Sequence, residues 1–137
     1  MAFDPSNDYP LGTRRPDLVF TPGGASLGDV TLDALRAGEL DAGDIRATPA
    51  TLRMQAEVAR SADRTQLAES FERAAELAAV PDELLLEVYT ALRPRRATAA
   101  ELESWAECLD KYGATGTAAF VREAAAAYAE RGLLADA

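Results

Sequence analysis

The sequence predicts an all-α protein, and three observations carry that expectation. Apolar residues recur at spacings of three and four through five separate segments, the period of one helix face. Helix start and stop signals bracket those segments, among them Thr48-Pro49, Thr98 with Glu101, and Gly132. No run of alternating apolar and polar residues is long enough for a strand. The expected architecture is a compact helical array of about five main helices in a chain of 137 residues, with an extended N-terminal arm. Residues 1–30 form the arm and residues 31–137 a single helical domain.

The arm is expected from its breakers. Residues 1–30 hold four of the seven prolines and four of the nine glycines, with Pro22-Gly23-Gly24 the clearest turn signal. Tyr9, Leu11, Leu18, Val19 and Phe20 lie in this irregular stretch. They are hidden either against a partner chain or by folding back on their own domain. Two short segments follow, Thr31 to Leu35 and Asp41 to Ile45.

The longer helices begin at Thr48, an N-cap with Pro49 at the first helical position, where a missing N–H costs nothing. This helix runs to about Ser61 with Leu52, Ala56 and Ala59 as its stripe. The second, about Asp63 to Ala78, carries Leu67, Phe71, Ala74, Ala75 and Ala78 on one face. Pro81 opens the third, lined by Leu85, Val88, Tyr89 and Leu92 until Pro94, with Leu84 and Leu86 widening the face enough for contacts on two sides. Thr98 and Glu101 form a capping box for the fourth, whose stripe is Leu102, Trp105, Ala106 and Leu109 and which Gly113 ends. The fifth spans about Thr117 to Arg131, with Phe120, Val121, Ala124 and Tyr128 inward and Gly132 as a left-handed C-cap. Its alanine run, Ala124 to Ala127, reads as a close-packed seam and high helix propensity.

Composition narrows the function. With 48% apolar and 27% charged residues, neither disorder nor a membrane class is favoured. The net charge of −9 opposes nucleic-acid binding, since no basic stripe survives among the arginines. The single cysteine, Cys108, gives no disulfide framework and fits a reducing cytoplasm. The start, MAFDPSNDYPLG, lacks the pattern of an export signal, and 18 consecutive apolar residues occur nowhere, so no membrane partner is expected. Histidine is absent, which removes the commonest general base, the commonest metal ligand and an axial imidazole for cobalt.

What remains for catalysis is carboxylates, Lys111, tyrosines or Cys108. The pairs Glu69 with Glu72 and Glu101 with Glu103 sit on polar helix faces or in a cap, where solvated charge is the expected reading. Glu72-Arg73 and Arg122-Glu123 lie within helices, so their charges pair either between helices or across a subunit boundary. Arg93-Pro94-Arg95-Arg96 projects guanidinium groups from a helix end, either to complement the macrodipole or to hold a partner's carboxylate. Gly23-Gly24 has neither a preceding strand nor a following Gly-Lys-Ser/Thr, so it is not a phosphate loop. Taken alone, these residues describe an acidic helical domain with an exposed arm and argue against an autonomous enzyme.

The stretch RATPATLRMQAEVARSADRTQLAESFERAAELAAVPDELLLEVYTALRPRRAT, residues 46–98, resembles the central block of the small (gamma) subunit of adenosylcobalamin-dependent diol and glycerol dehydratases. The resemblance continues in DYPL at Asp8 to Leu11, TLDAL at Thr31 to Leu35, AAFVREAA at Ala118 to Ala125, and YAER ending at Arg131. It implies a lyase complex built as a dimer of three-subunit units. The large (alpha) subunit, a TIM barrel, holds substrate and metal; the medium (beta) subunit helps bind adenosylcobalamin; a reactivating factor is a further partner. The small subunit packs on the large one and carries no catalytic, cofactor-binding or metal-binding residue. The family reaction removes water from a vicinal diol or glycerol to give an aldehyde through an adenosyl radical.

DYPL and TLDAL become the expected contact points of the arm, and the interface is expected to include Tyr9, Pro10, Leu11, Leu32, Leu35, Leu86, Tyr89 and Arg93. Relatives housed in protein microcompartments carry a longer N-terminal extension, whereas DYPL here begins at residue 8, which points to a freely cytoplasmic enzyme. Leu18, where relatives often place a larger aromatic, and the Pro22-Gly23-Gly24 turn depart from the family pattern and bear on the arm's contacts. The competing expectation is a free-standing helical interaction or regulatory module.

Overall fold

The computed structural model describes residues 2–136. It is all-α, as the periodicity predicts, with no named strand among the described residues. The helices are α1 (Leu11–Arg14), α2 (Leu32–Arg36), α3 (Pro49–Ser61), α4 (Thr65–Leu77), α5 (Asp82–Ala91), α6 (Ala99–Lys111) and α7 (Thr115–Arg131), with short 3-10 turns at Pro16–Leu18, Leu27–Asp29 and Ala42–Ile45. The contacts gather into two compact units, residues 1–75 and 76–137. Their boundary falls near the end of α4.

In the first unit, residues 2–30 are a series of hydrogen-bonded turns. The Asp8 carboxylate accepts from the Asp4 N–H at 2.8 Å and from the Arg15 guanidinium at 2.9 Å, and Arg15 also pairs with Asp17. Thr21 is buried, and its hydroxyl donates to the Asp44 carboxylate at 2.9 Å, joining the arm to the turn at 42–45. Asp41 and Asp44 cap that turn reciprocally, a box formed by two aspartates. A side chain at Gly23 would collide with the Asp44 carboxylate, so Gly23 is required there for close approach. The α3 and α4 helices contribute Ala56, Ala59 and Ala68 to a small core on which Phe71 packs. Small residues at the contact let helix backbones approach closely. Thr48 caps α3 through the Thr51 N–H, with Pro49 behind it.

The second unit has the larger core, built from Val80, Val88, Ala97, Leu102, Ala106, Leu109, Ala114, Ala118 and Val121. Helices α6 and α7 form a hairpin whose turn holds Gly113 at φ 77, in the left-handed region. Thr98 and Glu101 form the expected capping box and Gly132 the expected left-handed C-cap. The Tyr128 hydroxyl donates to the Leu92 carbonyl at 2.6 Å, fastening α7 to the end of α5. The tail returns beside residues 95–97, where the Arg95 N–H donates to Leu133 O and the Ala135 N–H to Ala97 O.

Four expected core positions are corrected. Ala78 is exposed because α4 ends at Leu77. Tyr89 is 57% exposed, while Val88 is the residue α5 buries. Phe120 was placed inward but is 49% exposed. The face α7 buries is Ala118, Val121, Ala125 and Tyr128, and Phe120 stands about 200° around the helix from Ala118. Leu67 was placed on the apolar face of its helix and is 41% exposed, because Ala68 and Ala75 are the residues α4 buries.

Candidate docking surfaces

Three of the four carboxylates singled out for chemistry are held in structural contacts. Glu101 caps α6, and its hydrogen bonds from Thr98 hold its pKa below the ordinary carboxylate value. Glu103 pairs with Arg122, whose other branch reaches Asp110 at 2.9 Å, and these contacts raise the Arg122 pKa. Glu72 pairs with Arg60 across α3 and α4, while Glu69 is exposed. Of the two expected pairings, the partners of Glu72 and Arg122 are thus on neighbouring helices of the same chain. Cys108 is half-buried. Among the described residues, no group of three or more Asp, Glu, His or Cys side chains has the arrangement of a metal site.

One carboxylate with a structural part was missed by sequence reasoning. Glu76, in the last turn of α4, accepts from the Gly116 N–H (3.1 Å), the Thr117 N–H (2.9 Å) and the Thr117 hydroxyl (2.9 Å). It supplies the acceptor that α7 lacks locally, since Ala114 stands at its N-cap with no side chain to bond the free N–H groups.

The expected interface residues divide by exposure. Leu11 is 3% exposed and belongs to the interior of its own unit. The other seven, Tyr9, Pro10, Leu32, Leu35, Leu86, Tyr89 and Arg93, are exposed. Tyr9 rims a groove of about 300 Å³ over α3 and α4, with Val58, Ala62, Leu67 and Phe71 in its wall. Leu32 and Leu35 stand on α2, one turn apart. In the second unit, Leu86, Tyr89 and Arg93 follow one another at spacings of three and four along α5 and past its end. Leu86 forms one wall of a groove of about 450 Å³ between α5 and α6, together with Ala91, Ala97, Trp105, Arg96 and the carboxylates of Glu87 and Glu101.

No buried side-chain nitrogen or oxygen among the described residues lacks a hydrogen-bond partner. The buried polar side chains are therefore satisfied among the described residues. Among the described residues, no helix is long and apolar enough to cross a membrane.

Residues 5–135 match the family described as dehydratase small subunit. The propanediol dehydratase small subunit of Citrobacter freundii is 52% identical over 125 residues, covering 90% of this chain and 73% of that protein. The propanediol dehydratase small subunit of Salmonella typhimurium is 50% identical over 126 residues, covering 91% and 73%.

Proposed function

The chain belongs to the dehydratase small-subunit family, and on that premise we propose that it is the non-catalytic small subunit of an adenosylcobalamin-dependent diol dehydratase. The complex converts a vicinal diol, 1,2-propanediol first and glycerol second, to an aldehyde and water. The observation that carries this reading is the match across residues 5–135, which includes both the helices and the arm. Propanediol is placed first because both relatives are named for it.

In this reading the small subunit stabilises the complex by packing on the large subunit, beside a medium subunit, in a dimer of three-subunit units. A reactivating factor acts on the assembled enzyme. Residues 1–30 serve as an arm laid on the large subunit, with Tyr9, Pro10, Leu32 and Leu35 supplying apolar contacts where the turns end and α2 begins. The lone, half-buried Cys108 supports a cytoplasmic location.

The residues of this chain do not fit the cofactor. There is no histidine to offer cobalt, the grooves are open surface features, and the buried polar groups are already paired among the described residues. Adenosylcobalamin, which supplies the radical initiator when bound, is assigned to the larger subunits.

The test is co-expression with the neighbouring large and medium subunits, followed by size exclusion and an aldehyde assay with added adenosylcobalamin. The expected result is co-elution, with activity or complex integrity lost when this chain is omitted. Elution of this chain alone, with full activity from the other two subunits, would overturn the reading in favour of a free-standing helical module.

A further inference from the structure

The chain repeats itself at an offset of 50 residues. Arg46-Ala47-Thr48 recurs as Arg96-Ala97-Thr98, Ala56-Glu57 as Ala106-Glu107 and Ala74-Ala75 as Ala124-Ala125. Leu27, Val30, Leu35, Leu52, Thr65 and Ala68 return as Leu77, Val80, Leu85, Leu102, Thr115 and Ala118. The structure repeats with the sequence. Thr48 and Thr98 cap α3 and α6, and Asp63 and Gly113 take positive φ in the turns that follow. The ion pair of Arg60 with Glu72 has its counterpart, signs exchanged, in Asp110 with Arg122. The boundary of the two compact units, between residues 75 and 76, separates the copies. The α3–α4 pair is thus a second version of the α6–α7 hairpin, and α2 takes the place of α5 in the repeat.

The copies differ in their cover. Leu109, Ala114 and Val121 are fully buried in a core that Val88 joins and on which Leu84, Leu85 and Leu92 pack. Their counterparts Ala59, Arg64 and Phe71 instead line the groove of about 300 Å³ over α3 and α4, where Leu67 is 41% exposed and its counterpart Thr117 is 8%. The chain's own segment at the position of α5 is too small to close that groove. Ala34, Gly38 and Ala42 stand where α5 and its end have Leu84, Val88 and Leu92, and α2 stops at Arg36 ahead of Gly38 at φ 75. Val30 is accordingly 38% exposed where Val80 is 5%.

One charged residue lines the groove, Arg64, which carries no ion pair or side-chain hydrogen bond among the described residues; Asp63 lies in the adjoining hollow at the start of α4. In the second copy the covering segment brings a carboxylate to the equivalent end, where Glu76 holds the N–H groups of Gly116 and Thr117, the counterparts of Gln66 and Leu67. A helix with an apolar face and a carboxylate at one end matches the groove in shape, as α5 does on the second copy, and in charge, through Arg64.

We propose that the groove over α3 and α4 receives an amphipathic helix of the large dehydratase subunit, seated as α5 is on α6 and α7, with apolar side chains over Leu67 and Phe71 and a carboxylate on Arg64. The proposal rests on the subunit reading above and assigns the packing a site and a recognition chemistry.

The experiment titrates the full-length chain into the co-expressed large and medium subunits at about 0.05 M and about 0.5 M salt, where screening lengths differ several-fold. Leu67→Ala is expected to weaken binding by roughly tenfold at both salts. Arg64→Glu is expected to weaken it by roughly tenfold at the lower salt and by less at the higher. Arg53→Glu, an exposed reversal on α3, controls for net charge, and circular dichroism of each free variant controls for folding. A photo-crosslinking residue placed at the exposed Ala62, in the groove wall, is expected to attach to the large subunit. Parental affinity in either groove variant, with the parent chain binding normally, overturns this site and leaves the subunit reading standing. Equal losses from Arg53→Glu also overturn it. Crosslinking to the medium subunit or to a second copy of this chain overturns the choice of occupant, and a parent chain that binds neither larger subunit overturns both readings.

Discussion

Removing the Glu76 side chain should destabilise the second unit through the start of α7. The Glu76→Ala change leaves the N–H groups of Gly116 and Thr117 without their acceptor, together with the Thr117 hydroxyl. Thr117 is 8% exposed, so water cannot readily replace the carboxylate there. Loss of an N-terminal capping acceptor costs about 1 kcal/mol, within a range of about 0.5–2. Loss of a negative charge at a helix N-terminus adds about 0.5 kcal/mol. The sum, about 1.5 kcal/mol, corresponds to a Tm lower by roughly 5 °C for a chain of this size. Glu76→Gln keeps one acceptor oxygen but loses the charge and turns an amide donor toward other donors, so about half the effect is expected. Urea unfolding followed by circular dichroism measures both variants against Glu69→Ala, an exposed glutamate of the same helix expected within about 0.5 kcal/mol of the parent. Coincident curves for Glu76→Ala and Glu69→Ala would refute the clamp.

Leu102, 1% exposed in the second core, should cost about 2–5 kcal/mol when cut to alanine, read as a lower urea midpoint with unchanged helical signal in the folded baseline. Thr98→Ala should cost about 1 kcal/mol by removing the α6 cap, and Thr98→Ser should recover most of it in the same assay. Gly23→Ala should loosen the arm from the 42–45 turn, because the added methyl displaces the Asp44 carboxylate; faster amide hydrogen exchange at Gly24 and Ala25 would register it. Asp44 and Glu101 have folded-state pKa values depressed below 3.8 and 4.5 by the hydrogen bonds they accept. The folded chain therefore prefers their ionised forms. That stability is complete above the ordinary values and is lost as pH falls through the depressed ones. Urea midpoints should drop as the pH falls below the ordinary carboxylate values, and Asp44→Asn should make the drop shallower; an unchanged pH profile would count against the Asp44 contacts.

Local chemistry made much of the fold legible. Thr48-Pro49, the Thr98–Glu101 box and Gly132 act within a few residues of themselves, and each cap stands where the sequence places it. The faces were harder to assign. In α7 seven of the residues are alanine, so the period does not single out one side, and Phe120 was expected inward with Val121, Ala124 and Tyr128 although the buried stripe runs through Ala118 and Val121. Long-range polar contacts were illegible for a different reason. Glu76 to Thr117 and Thr21 to Asp44 join residues 41 and 23 positions apart, and nothing in either local sequence names the other partner. The exposure of Leu86 fits the widened α5 face, whereas Tyr89, expected in the lining with Leu85, Val88 and Leu92, is 57% exposed, and the turn network of residues 2–30, with Leu11 buried inside it, did not follow from a count of prolines and glycines.

The distribution of apolar bulk ties these results to the subunit reading. Where α3 meets α4 the buried residues are Ala56, Ala59 and Ala68, and in the second unit Ala97, Ala106, Ala114 and Ala118 stand among Leu102, Leu109 and Val121. An alanine at a helix contact permits close approach and loses no side-chain entropy, but it buries little area, and burial stabilises at about 25 cal/mol per Å². Meanwhile Tyr9, Phe20, Leu32, Leu86, Tyr89 and Phe120 stand about half or more exposed. A chain that meant to maximise its own stability would exchange these sets, large residues inside and small ones outside. This one keeps slender helix seams and leaves several large apolar groups at its surface, an arrangement that fits the proposed subunit role, in which association supplies part of the folding energy.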